Sequence, residues 1–124
     1  LRSVRQAMDG IEGEIIVVDN ASVDGTAQLV RQHFPDVRLI ANQDNRGFAK
    51  ANNQGIVLAT GEHILLLNPD TIVSGDTFTT CLAFMESHQD AGAIGVKMLD
   101  GSGRFLPESK RGLPTLSASF MKMT

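Results

Sequence analysis

Two aspartates with neighbouring amide side chains have the residue types and spacing of a ligand site. Asp19 and Asp70 each follow a run of aliphatic residues, and Asn20 and Asn68 lie next to or near them. A polar segment, 42–47, follows a third apolar run between the two acids. If the three runs are parallel strands, their loops open on one edge of a sheet, where ligands of α/β proteins bind. Amides and one carboxylate suit hydrogen bonds to a nucleobase and ribose, which leaves one carboxylate for a divalent cation.

Asp70 is the residue we predict to bind this cation. Mg²⁺ or Mn²⁺ on a nucleoside diphosphate usually takes only one or two protein carboxylates, so a single aspartate is chemically sufficient. The segment Asn68-Pro69-Asp70 is also ordinary turn chemistry. Asp70 could therefore simply cap a turn or the next helix, and this alternative stays open at this point.

The elements that would position these residues alternate regularly along the chain. The runs 14–19 and 63–67 have consecutive aliphatic residues without alternation, which is typical of strands buried on both faces of a parallel sheet. Further strands are predicted over 37–41 and 91–99. Helical spacing of apolar residues predicts helices over 1–8, 26–34, 48–59 and 77–88. This βαβ series predicts an α/β fold with a mostly parallel sheet and right-handed crossovers.

Composition excludes several classes of protein. The 124 residues are enough for one domain at most, and the net charge of −3 argues against binding nucleic acid through its phosphates. Cys81 is the single cysteine, so no internal disulfide can form, which favours a reducing compartment. We interpret Cys81 as a thiol in the core, because no histidine motif accompanies it.

Several motifs of phosphate chemistry are missing or incomplete. The sequence has neither a Gly-x-Gly-x-x-Gly after a strand nor a P-loop, and its three histidines are far apart. A phosphatase of the haloacid dehalogenase type is one alternative, because residues 22–26 read Ser-Val-Asp-Gly-Thr. Its nucleophile position would hold Ser22, which cannot form an aspartyl-phosphate.

Four segments in order resemble the family 2 nucleotide-sugar glycosyltransferases. They are IVVDNASVDGT at 16–26, NRGFAKANNQG at 45–55, LLNPDT at 66–71, and GVKMLD at 95–100 followed by Gly103-Arg104-Phe105. The third segment resembles the DxD motif of the family in the Asn-Pro-Asp form of its rhamnosyltransferase-like branch. The resemblance runs from about residue 1 to about residue 116.

The resemblance implies a fold, a reaction and roles for individual residues. The fold is the GT-A type, a three-layer α/β sandwich, and the reaction is an inverting, metal-dependent sugar transfer. The donor is a nucleoside-diphosphate sugar of the dTDP or UDP type, with rhamnose as the best single candidate, and the acceptor is a saccharide or a lipid-linked hydroxyl. Asp70 corresponds to the metal ligand for Mg²⁺ or Mn²⁺. The predicted nucleotide-binding residues are Asp19, Asn20, Asn45, Arg46 and Asn68.

The same resemblance predicts that residues 1–124 form a single, partial domain. The first strand of the family and its acceptor half with the catalytic base have no counterpart in the sequence, so we expect the piece to bind the donor and to be inactive alone. An open sheet edge would favour self-association. We also expect a cytoplasmic location, which includes the cytoplasmic face of the membrane. A non-catalytic nucleotide-binding or partner-binding α/β module is the alternative.

Overall fold

A computed structural model describes residues 1–107 of the chain; residues 108–124 of the predicted domain lie outside this part. The chain divides into two compact units, Leu1–Thr79 and the residues from Thr80 onward. The elements in chain order are α1 (Arg2–Ala7), β1 (Ile16–Asp19), α2 (Thr26–His33), β2 (Arg38–Ala41), α3 (Phe48–Leu58) and α4 (Thr77–Ser87). Six predicted elements therefore form, with ends that differ from the prediction by at most two residues.

The sheet of the first unit consists of β1 and β2, which pair in parallel. Ile16 lies opposite Arg38, and Asp19 lies opposite Ala41. Helix α2 connects the two strands, which is the crossover that a parallel pair requires. The predicted α/β class with a parallel sheet is confirmed.

Helix α3 packs against β1 at a glycine. A Cβ atom added to Gly55 would lie 3.6 Å from Val18 Cγ2 and 3.9 Å from Ile16 Cγ2. Ile16 and Val18 point to the same face of the strand because side chains alternate. Gly55 therefore lets the helix backbone approach that face closely, and Ala51 one turn earlier is buried.

The helices bury narrower faces than their apolar spacing predicts. Val30 of α2 is 4% exposed, but its neighbour Leu29 and the first residue of α3, Phe48, are both exposed. Both belong to the apolar spacing from which the two helices are predicted. A sheet of two strands covers only a narrow stripe of each helix, so residues at the edge of the stripe remain in solvent.

The structure contradicts the strand predicted over 63–67. Ile64, Leu65, Leu66 and Leu67 are all exposed, and no backbone hydrogen bond joins them to another strand within residues 1–107. An aliphatic run indicates strand propensity, but a strand also needs a neighbour in register. Strand β1 pairs only with β2 in this part of the chain, so the run has no ladder to join.

The strand predicted over 91–99 also does not form. Only Leu99 makes a bridge, to Phe105, and this bridge is antiparallel. A turn follows Leu99, since the Asp100 N–H donates to Arg104 O at 2.8 Å and the Gly103 N–H to Asp100 O at 2.9 Å. The apolar residues before it have no partner strand in the described second unit, which leaves most of them in solvent.

Candidate functional site

Asp19 is the last residue of β1, and the residue as a whole is 6% exposed. It is the one buried acid among residues 1–107. Among the described residues, none donates a hydrogen bond to its carboxylate and none forms an ion pair with it. The carboxylate oxygens are therefore free to accept hydrogen bonds from a ligand that supplies donors. No buried side-chain oxygen of the described part lacks a partner, so the Asp19 oxygens keep some contact with solvent.

Asn20, the next residue, links the ends of the two strands. Its Nδ2 donates to Asn45 Oδ1 at 2.7 Å, and its Oδ1 accepts from the Arg46 backbone N–H at 3.0 Å. Asn42 Nδ2, immediately after β2, also donates to Asn20 Oδ1 at 3.2 Å. The loops that follow β1 and β2 are therefore joined at one edge of the sheet, as their parallel arrangement predicts.

The loop from Asn42 to Gly47 has a fixed conformation at its end. The Gly47 N–H donates to Asn45 Oδ1 at 3.0 Å, and Gly47 has φ 79° and ψ 163°. This backbone region is essentially restricted to glycine. The Arg46 side chain is exposed and pairs with Asp44, with 3.3 Å between Nε and Oδ1. The loop thus holds its backbone through Asn45 and leaves the guanidinium at the surface.

Asn68 and Asp70 lie in a separate turn. The Thr71 N–H donates to Asn68 O at 3.2 Å, and both predicted site residues are exposed. Because the run before them is not a strand, the prediction that Asp70 ends a central strand is wrong. No hydrogen bond within residues 1–107 joins this turn to Asn20, Asn45 or Arg46. The structure therefore brings together the predicted residues after β1 and β2, but it does not connect them to those after 67.

Two residues of this edge were missed in the sequence. Asn42 and Gln54 exchange two hydrogen bonds, Nδ2 to Oε1 at 2.8 Å and Nε2 to Oδ1 at 3.1 Å. The role of Asn42 follows from the strand register, which only the structure provides: since Asp19 lies opposite Ala41, the next residues, Asn20 and Asn42, are neighbours across the ladder. Gln54 precedes Gly55 on α3, the helix that packs on β1, and only the packing reveals its role.

Two carboxylates, one before β1 and one before α2, are held by hydroxyl and backbone donors. Glu14, before β1, accepts from the Thr60 N–H at 2.7 Å and from Thr60 Oγ1 at 2.6 Å. These hydrogen bonds lower the pKa of Glu14. Asp24 accepts from the Thr26 hydroxyl and N–H, which lower the pKa of Asp24 in the same way. The N-cap of α2 itself is Gly25, so Asp24 lies one residue before the cap.

A metal ion would have few protein ligands in the described part. No group of three or more His, Cys, Asp or Glu side chains converges within residues 1–107. The carboxylate of Asp70 is exposed and has no hydrogen bond or ion pair there. It fits a cation that takes one carboxylate and completes its coordination with phosphate oxygens and water. No helix in this part is long and apolar enough to cross a membrane.

Comparison with known proteins gives consistent relatives. The chain is 29% identical to the poly(ribitol-phosphate) beta-N-acetylglucosaminyltransferase TarS of Staphylococcus aureus, over 85% of this chain and 19% of the relative. It is 41% identical to the succinoglycan biosynthesis protein ExoO of Rhizobium meliloti, over 76% of this chain and 27% of the relative. It is 32% identical to the putative glycosyltransferase EpsE of Bacillus subtilis, over 69% of this chain and 32% of the relative.

The chain thus spans a third or less of the length of these relatives. No solved structure matches it significantly. The family model described as "Glycosyl transferase family 2" matches residues 1–122. This match confirms the GT-A fold class and disagrees with the haloacid dehalogenase alternative. The rhamnosyltransferase-like branch is a finer assignment that none of these relatives carries in its name. Because this model matches nearly the whole chain, the chain belongs to glycosyltransferase family 2.

Proposed function

We propose that this chain is the donor-binding part of an enzyme that transfers a sugar from a nucleoside diphosphate to an acceptor hydroxyl. The observation that carries the proposal is Asp19, a buried residue whose carboxylate oxygens reach solvent and have no partner within residues 1–107, next to the hydrogen-bonded loops after β1 and β2. The N–H groups of a nucleobase are donors that would satisfy this carboxylate. Asn20, Asn45 and Arg46 would surround the rest of the nucleoside.

The diphosphate is assigned to the turn that contains Asn68 and Asp70. Asp70 would hold Mg²⁺ or Mn²⁺ through its free carboxylate, and Asn68 would contact the nucleotide beside it. When bound, such a cation neutralises the negative charge that develops on the departing diphosphate. The protein itself supplies one carboxylate here, so the affinity for the cation should depend on the nucleotide.

The donor sugar and the acceptor are finer parts of the proposal. We propose dTDP-rhamnose as the first donor to test, on the resemblance of residues 66–71 to one branch of the family. UDP-N-acetylglucosamine is the second, because N-acetylglucosaminyl transfer stands in the name of a relative. Relatives named for succinoglycan and teichoic acid biosynthesis support a saccharide or lipid-linked acceptor in a surface polysaccharide pathway.

The transfer itself is proposed to invert the anomeric carbon by direct attack of the acceptor oxygen. None of residues 1–107 is assigned as the catalytic base, so the proposed role of this piece is binding rather than turnover. The cytoplasmic location, the single-domain assignment and self-association through the open edge of β1 remain predictions.

Calorimetric titration of the chain with dTDP, UDP and GDP, with and without Mn²⁺, tests the proposal. We expect Mn²⁺-dependent binding that Asp70→Asn weakens at least about tenfold, or about 1.4 kcal/mol. Asp19→Asn should reduce the preference among the bases. Removing a negative charge near a diphosphate would by itself tighten binding, so weaker binding identifies a lost ligand.

Asp76→Asn is the matched control, because it makes the same charge change at an exposed aspartate without a side-chain hydrogen bond within residues 1–107. It should bind like the parent chain. The proposal fails if no nucleoside diphosphate binds in the presence of Mn²⁺, or if Asp70→Asn binds as tightly as Asp76→Asn. Binding without sugar transfer when the complete enzyme is assayed would support the non-catalytic module instead.

A further inference from the structure

Four side-chain amides form a continuous chain from helix α3 through the loop after β1 to the end of the loop after β2. Gln54 exchanges two hydrogen bonds with Asn42, Asn42 donates to Asn20, and Asn20 donates to Asn45. The bonds are 2.7–3.2 Å long. Gln54 and Asn42 are half-buried, whereas Asn45 is exposed. The chain therefore begins in the packed part of the unit and ends at the proposed nucleotide site.

The direction of every hydrogen bond in this chain is set by the main chain. The Arg46 N–H donates to Asn20 Oδ1, and the Gly47 N–H donates to Asn45 Oδ1. A backbone N–H cannot accept, so both oxygens must face the loop. The Nδ2 of Asn20 must then face Asn45, and Asn42 must present its Nδ2 to Asn20. The orientation of each amide follows from this network rather than from a free choice between oxygen and nitrogen.

Asn42 has no spare hydrogen-bonding capacity on its nitrogen. Its Nδ2 donates to Asn20 and to Gln54, and its Oδ1 accepts from Gln54. Among residues 1–107, Gln54 is the one side chain that hydrogen-bonds to both ends of the Asn42 amide. Without Gln54, Asn42 could rotate, and the acceptor that receives the Arg46 N–H would lose its support.

We infer that Asn42 and Gln54 are positioning residues that orient Asn20 and the loop 45–47 for the nucleotide. This inference rests on the proposed function and deepens it, since neither residue needs to touch the ligand. The pair acts through Asn20: helix α3, anchored on β1 at Gly55, sets the Asn42 amide, which in turn sets the acceptor at the loop. The loop is thereby held in place before a ligand arrives, which lowers the ordering cost of binding.

Two substitutions of Gln54 test the pair, each in the complete 124-residue chain. Gln54→Glu keeps the shape but faces Asn42 Oδ1 with an acceptor, and Gln54→Met removes both hydrogen bonds without adding charge. The readouts are amide hydrogen exchange at Arg46 and Gly47 by NMR, and the affinity for dTDP or UDP with Mn²⁺ by calorimetry. We expect at least about fivefold faster exchange at both amides and at least about fivefold weaker binding, with exchange in β1 and β2 unchanged.

Asn53→Asp and Asn53→Met are the matched controls, since Asn53 is the exposed neighbour on α3 and has no side-chain hydrogen bond within residues 1–107. They should match the parent chain in both readouts. Exchange at Arg46 and Gly47 that stays at the parent rate in both Gln54 variants overturns the inference. Faster exchange with unchanged affinity, or weaker binding in Gln54→Glu alone, overturns the link to the nucleotide. If the parent chain binds no nucleoside diphosphate at all, the proposed function fails, and that result is separate from the exchange rates.

Discussion

The two aliphatic runs that precede Asp19 and Asp70 have different environments. Ile16 to Val18 are half-buried, pair with β2 and lie under α3, whereas Ile64 to Leu67 are exposed and unpaired within residues 1–107. The acids differ in the same way, since Asp19 is buried and Asp70 lies in an open turn. The comparison shows that pairing and helix cover, rather than aliphatic content, decide whether a run buries the acid that follows it.

The largest expected effect is the loss of folding free energy when an apolar side chain is truncated. It should be large in α2, the helix that connects β1 to β2, and small in the 64–67 run. Val30→Ala in α2, 4% exposed, should lower the free energy of unfolding by about 1–3 kcal/mol, because the removed methyl groups are buried. Leu66→Ala, 54% exposed, should change it by less than about 0.5 kcal/mol. Urea denaturation of both variants measures this. If Leu66→Ala costs as much as Val30→Ala, the 64–67 run is packed in solution and the comparison breaks down.

A smaller effect is expected at the contact between α3 and β1. Gly55→Ala should stabilise the chain by about 0.5–1 kcal/mol, since the new methyl group would make ordinary contacts with Val18 and Ile16 and alanine favours the helix. Gly55→Leu should destabilise it, because the longer side chain would push the helix off the strand. Thermal unfolding of the two variants checks both signs. A loss of stability in Gly55→Ala would show that the helix lies too close to β1 for a methyl group at this position.

The smallest expected effect is on the thermal stability of the chain at acid pH. Hydrogen bonds from Thr60 hold the pKa of Glu14 below its ordinary value, so the stabilisation they give is present above about pH 4.5. It is lost as the pH falls through the lowered pKa. The midpoint of thermal unfolding should therefore fall more steeply below about pH 4.5 in the parent chain than in Glu14→Gln.

Glu12→Gln removes the same charge from an exposed glutamate that has no hydrogen bond within residues 1–107, so it is the control for this profile. Below about pH 4.5, its midpoint of thermal unfolding should fall as steeply as that of the parent chain. If the midpoint of Glu14→Gln falls as steeply as that of the parent chain, the hydrogen bonds between Glu14 and Thr60 do not contribute to stability.

The sequence predicted the local elements of the first unit well because their signals are local. Helical spacing placed α2 and α3 within a residue of their observed ends, and the aliphatic run Ile15 to Val18 predicted β1. The strand over 63–67 was predicted from the same kind of signal and is wrong. Whether such a run is paired depends on residues far away in the chain. Local composition and spacing carry no information about that pairing.

The site was predicted in the same uneven way. Asn20, Asn45 and Arg46 come together because the loops after parallel strands share an edge, which follows from topology alone. Asn42 and Gln54 could not be recognised, because their pairing depends on the register of β2 and on how α3 lies on β1. Asp70 was predicted at a strand end that does not exist, although its residue type and exposure still suit a cation.

Gly47 sets a limit on how this protein can evolve. A Cβ atom at this position would meet no other atom within 4 Å, so the space beside the start of α3 is not filled by neighbours. It is the positive φ of Gly47 that disfavours every larger residue there. Single substitutions at Asn45 or Arg46 can therefore change a side chain of this loop, whereas a substitution at Gly47 also strains the backbone. Descendants of this sequence would have to remodel the whole loop to close that space.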